Sequence, residues 1–153
     1  MRANWLKRHF GDLPVKADTE VTAEDRARFD LILFGDPGSN RLIAEALAVQ
    51  SPWALPLRWT KDAVGFGENK FAADTHLPAL IYPSPWRTDR YVVVNGVPLA
   101  RGIPPARVLP TLDMQPLMPE AMGDFAIFHV DPATAGSAPA KSVHGGFFNE
   151  QWQ

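Results

Sequence analysis

The placement of proline constrains this chain more than any other feature. Its 153 residues hold 15 prolines, eleven of them at or after Pro78 and six between Pro98 and Pro119. A proline inside a helix removes a hydrogen bond and clashes with the preceding turn, at about 3 kcal/mol each. The second half therefore cannot be a helical bundle or a coiled coil, and helices belong to the first half. The absence of cysteine excludes a disulfide scaffold and cysteine-ligated zinc or iron–sulfur centres.

Hydrophobic residues make up 46% of the chain. A chain of this size buries roughly 69% of its unfolded surface, enough for one ordinary core. Fifteen basic residues oppose 17 acidic ones, for a net charge of −2, and the basic ones are scattered. That balance gives no electrostatic basis for binding nucleic acid or an anionic membrane. No apolar run approaches the ~20 residues of a membrane span. The opening residues, Met1 to His9, lack the apolar stretch of a signal peptide and read as a short amphipathic helix over 3–10. Localisation is left open.

The expected organisation is an N-terminal helix and arm over 1–22, then a single α/β domain over 23–153. Thr22-Ala23-Glu24-Asp25 has the form of a capping box and opens a short helix ending near Arg28. Asp30 to Phe34 is a continuous apolar run, the pattern of a strand buried on both faces. Residues 35–40 form a turn, and 41–49 place Leu42, Ile43, Ala46 and Leu47 on one helical face. A second short strand follows at 55–59. Strand, tight turn, helix and strand make a βαβ unit, which implies a parallel pair. Downstream, 64–71 reads as a hairpin, 76–82 and 90–95 as strands joined by a loop at 83–89, and 123–130 as a last strand. Residues 96–120 carry the proline cluster and are expected to be irregular, and the tail over 131–153 is rich in alanine, glycine and proline until Gly146. The fold class expected is α/β: a small open sheet, mostly parallel or mixed, with a Rossmann- or flavodoxin-like βαβ unit and a proline-rich loop.

The blocks LPVKADTEVTAEDRARFDLILFGDPGSN, LPLRWT, THLPALIYPSPW, RYVVVNG, GDFAIFHV and GFFNEQW, taken in order, resemble the C-terminal accessory module of bacterial α/β-hydrolases of the prolyl-oligopeptidase-like esterase and peptidase class. The likeness runs from about Trp5 to Trp152 and departs around 96–120, where the family more often has a short polar stretch. It implies a non-catalytic role in docking, assembly or substrate positioning. It also implies a serine-hydrolase domain or a second copy of the chain as partner, and an apolar surface patch drawn from Trp86, Phe147, Phe148 and Trp152.

No serine sits in Gly-x-Ser-x-Gly, so the chain is not itself the catalytic domain of that fold. Gly65-Phe66-Gly67 lacks the third glycine of a dinucleotide fingerprint, and no cofactor is implied. The four histidines are dispersed and form no metal motif. The residues that could carry chemistry are few. Ligands of open parallel sheets bind beyond the carboxyl ends of strands, which makes Gly35, Asp36, Gly38, Ser39 and Asn40 candidates. Their backbone N–H groups could meet an anion, and Asp36 could act as acid or base on a glycoside or ester. The same residues could simply shape a turn and cap the next helix. His76, near Asp74, could be a general base oriented by a carboxylate, or could satisfy a strand-end hydrogen bond. Asp36, Glu68, Asp74 and Asp124 supply the carboxylates of a possible glycosidase pair. Trp59 and Trp86 could stack on a sugar ring, or fill core or interface area.

Overall fold

Thr22 opens the first helix, α1 (Ala23–Arg28), by the reciprocal bonds that its sequence calls for. Its hydroxyl accepts from the Asp25 N–H at 3.2 Å and the Asp25 carboxylate accepts from the Thr22 N–H at 2.9 Å. The computed structural model describes residues 14–96, 123–130 and 141–153. The N-terminal helix at 3–10, the proline cluster at 98–119 and residues 131–140 lie outside the described residues. Part of the expected arm is docked on the domain. Asp18, in a 3-10 turn over Asp18–Glu20, accepts from the backbone N–H of Arg41 at 2.7 Å, and Val21 packs against the core.

The remaining elements are β1 (Leu31–Phe34), α2 (Arg41–Ala48), β2 (Leu57–Trp59), β3 (Ala63–Phe66), β4 (Phe71–Ala72), β5 (His76–Ser84), β6 (Arg87–Asn95), β7 (Phe125–His129) and β8 (Lys141–Gly146). The molecule is mixed α/β and rich in strands, with few helices. Five strands form one sheet in the order β1-β6-β5-β7-β8, and three form a smaller sheet in the order β2-β3-β4. In the larger sheet β1 and β6 are parallel and the other pairs antiparallel, so the sheet is mixed.

The structure departs from expectation in three places. The strands flanking α2 do not pair: β1 joins β6, and β2 joins β3 in the other sheet. There is thus no Rossmann-like βαβ pair. The cause lies in the side chains. Leu57-Arg58-Trp59 alternates buried, exposed and half-buried, which suits a half-solvated antiparallel hairpin. The parallel partner of a continuous apolar strand needs a continuous apolar run of its own, and Val92-Val93-Val94 of β6 supplies it. Second, β1 is the end strand of its sheet, and Ile32 is 44% exposed, so it is not buried on both faces. The loop expected at 83–89 also shrinks to Pro85-Trp86, because Ser84 already pairs with Arg87.

Register sorts the larger sheet into two faces. On the inner face lie the rows Leu31–Val92–Tyr82, Leu33–Val94–Leu80–Phe125–Gly146 and Pro78–Ile127–His144. The buried members of these rows form the main core with Leu42, Ile43 and Ala46 of α2 and Leu57, Val64 and Phe66 of the small sheet. The outer face carries Ile32–Val93–Ile81 as one row across β1, β6 and β5. It also carries Ala79, Ala126 and Phe128, a second small buried cluster. No helix among the described residues is long and apolar enough to cross a membrane.

Candidate functional site

The turn after β1 is satisfied from within. Gly35 has φ +112°, a conformation that favours glycine, and the chain then doubles back into α2. The Asp36 carboxylate accepts from the Gly38 N–H at 2.7 Å, while Ser39 Oγ accepts from the Asp36 N–H at 3.0 Å. Asn40 is the helix cap. Its Oδ1 accepts from the N–H groups of Leu42 and Ile43 at 2.9 and 3.3 Å, and its Nδ2 donates to the Phe34 carbonyl at 3.0 Å. Two of the backbone donors offered to an anion, at Leu42 and Ile43, are therefore occupied by the cap. The Asp36 carboxylate is committed to shaping the turn.

Asp36 lies in the turn after β1 and His76 at the start of β5, with β6 between those two strands, and no hydrogen bond joins the two residues among the described residues. Glu68 is exposed at the tip of the β3–β4 turn. Asp124 is committed as well, its Oδ2 accepting from the Phe148 N–H at 3.0 Å.

His76 is better placed. It opens β5 at the end of the inner face, where the apolar rows give way to a row of His76, His129 and Lys141 on three adjacent strands. Its Nδ1 lies 3.1 Å from the Ala72 carbonyl and 3.1 Å from Thr75 Oγ1, and Thr75 donates its own hydroxyl proton to Asp74 at 3.3 Å. A carbonyl can only accept, and a hydroxyl that has given its proton away can also only accept. Both partners therefore require a proton on Nδ1, so in the neutral ring Nε2 carries the lone pair. Asp74 acts on His76 through Thr75 and not by the direct contact expected from sequence.

Four side chains that sequence reasoning did not assign to this site surround it. The His129 ring lies 5.0 Å from His76, centroid to centroid and edge on. Phe71 of β4 stands 5.1 Å from His76 and 6.1 Å from His144. Asn69, in the same hairpin, reaches His144 Nε2 at 3.4 Å. The signal lay in alternation: 76, 78, 80 and 82 share one face of β5, as 125, 127 and 129 share one face of β7. Only the register, which sequence does not give, brings the two ends level.

Trp59 and Trp86 both pack against the core. Trp59 is half-buried against the core, and its ring closes over Gly96, where an added Cβ would stand 3.0 Å from Cη2. Trp86 also packs on the core, beneath the Arg26 guanidinium at 5.3 Å from its ring. Phe148 and Trp152 do likewise, so of the expected patch only Phe147, 74% exposed, faces solvent. Comparison of the chain with protein-family models, curated proteins and solved structures gives no match.

Proposed function

We propose that this chain is a non-catalytic docking module of the kind found at the C-terminus of prolyl-oligopeptidase-like hydrolases, and that a serine-hydrolase domain is its partner. The observation that carries this reading is the outer-face row Ile32–Val93–Ile81. Its ends are 44% and 36% exposed, and Tyr91 on the same sheet is 42% exposed. Single exposed apolar side chains are ordinary on a protein surface, but a contiguous row marks a contact surface. The row ends on β1, the end strand of the sheet, whose edge adds backbone groups for a partner to meet. The identity of the partner follows from the sequence likeness described above. The test is titration calorimetry of the purified chain against a serine-hydrolase domain of that class, repeated with Ile81→Lys. Binding weakened at least about tenfold by the substitution is the expected result. Absence of binding, or binding indifferent to Ile81→Lys, overturns it. A wild-type dimer that Ile81→Lys dissociates replaces the hydrolase by a second copy.

One observation favours a second reading, a small hydrolase acting on an ester or glycoside. The Asp74–Thr75–His76 chain leaves a free imidazole nitrogen, as a general base requires. A panel of chromogenic esters and glycosides separates the two readings. Hydrolysis that His76→Ala abolishes establishes the hydrolase. Equal rates in wild type, Asp36→Ala and His76→Ala remove it.

A further inference from the structure

We propose that His76 and His129 together bind one divalent transition-metal ion of the zinc, copper or nickel kind, bridging β5 and β7. Three independent features of the chain converge on this. The two residues are directly opposite in the ladder. The bond from the Val130 N–H to the Thr75 carbonyl, at 2.8 Å, flanks them, which makes them a non-hydrogen-bonded pair. That is the register in which opposing side chains approach most closely.

The tautomer is fixed in the direction a metal needs. Ala72 and Thr75 hold the proton of His76 on Nδ1, the same backbone-carbonyl arrangement by which metal-binding imidazoles are oriented, and Nε2 is left as the donor atom. The spacing also fits. With a metal–nitrogen distance of about 2.0–2.1 Å, two imidazoles at tetrahedral positions have ring centroids about 5.2 Å apart; His76 and His129 stand at 5.0 Å.

Imidazole pairs select zinc, copper or nickel over magnesium or calcium, which take oxygen ligands. His144 stands instead beside Phe71 and Phe125, with ring centroids 6.1 and 5.6 Å away, and no ring contact joins it to His76 or His129 among the described residues. Among the described residues no group of three or more ligating side chains is arranged around a metal. Among the described residues the site therefore has two protein ligands, His76 and His129. His129 is exposed, so the ion has a route in.

The experiment titrates the full chain, stripped with EDTA, with Zn²⁺, Ni²⁺ and Cu²⁺ separately by calorimetry, alongside thermal melts. One ion per chain and a rise in Tm are expected, since an ion that ties two strands binds the folded state alone. His129→Asn weakens binding at least about tenfold and removes the rise in Tm, as does His76→Asn, whereas His144→Asn leaves affinity within about twofold. His129 being exposed, its variant keeps the fold, which circular dichroism verifies. Absence of saturable binding overturns the proposal, and so does binding that survives both His76→Asn and His129→Asn.

Discussion

Asn40 concentrates more of the local order than any other side chain in the turn after β1. It caps two backbone N–H groups of α2 and donates to the last carbonyl of β1, so one residue closes a helix and ties it to a strand. Removing a cap residue costs typically about 1 kcal/mol and up to about 2, and here the Phe34 carbonyl also loses a partner. Asn40→Ala is therefore expected to destabilise the fold by about 1.5 kcal/mol, lowering Tm by about 3–6 °C. Asp36→Ala removes one bond in an exposed stretch of the same turn and should shift Tm by less. A thermal melt of both variants checks the order. A larger loss in Asp36→Ala would mean that the turn, and not the cap, holds the helix.

At the scale of elements, α1 shows how a helix too short to persist alone is held. Lys16 reaches both carboxylate oxygens of Asp25 at 2.9 and 2.8 Å, and Thr22 adds its N–H and hydroxyl. Chiefly through Lys16, these bonds lower the Asp25 pKa from 3.8 to about 2. A carboxylate whose folded pKa is depressed contributes stability that is complete above its unfolded pKa and lost as pH falls through the folded one. The contribution of Asp25 is therefore full above about pH 5 and fades between about pH 4 and pH 2. Asp25→Asn should melt below the wild type near neutrality, the two curves converging as pH approaches about 2. Parallel curves across that range would refute the assignment. This helix was legible in the sequence because a capping box is a local code. So were α2, from its apolar face, and the β3–β4 hairpin. The partner of β1 was not legible. Strand pairing is decided between segments some sixty residues apart, and β2 and β6 compete for the same edge. The match of apolar runs, Leu31–Phe34 beside Val92–Val94, rather than order along the chain, chooses between them. The same limit hid the site: His76 was visible, but His129 enters it only through the register of β5 with β7.

Across the whole molecule, the C-terminal residues close the structure. Residues 147–153 return over the core, where Phe148 stacks within 5.0 Å of Phe125 and 5.2 Å of Tyr82, and Trp152 lies 5.8 Å from Tyr82 and 5.5 Å from Tyr91. The Asn149 side chain accepts from the N–H groups of Gln151 and Gln153 at 3.0 and 2.9 Å, holding the tail in a compact turn. The Tyr82 hydroxyl donates to the Trp152 carbonyl at 3.0 Å, and burial raises the Tyr82 pKa above the ordinary 10.0. Trp152 therefore covers part of the aromatic ladder. A half-buried tryptophan at such a site supplies somewhat less than the 3–5 kcal/mol of a fully buried one, so Trp152→Ala should destabilise by about 2–3 kcal/mol. Uncovering Tyr82 should also bring its titration back toward that of a free phenol. The sign is opposite to that of Asp25: a raised folded pKa gives stability present below about pH 10 and lost as pH rises through the folded value. Wild type and Trp152→Ala should thus differ most near neutrality and converge in alkali, with the phenolate absorbance of Tyr82 rising earlier in the variant. A Trp152→Ala chain with unchanged stability and an unchanged Tyr82 titration would show that the tail lies on the core without sealing it. The aromatic ladder would then have to be counted as part of the docking surface.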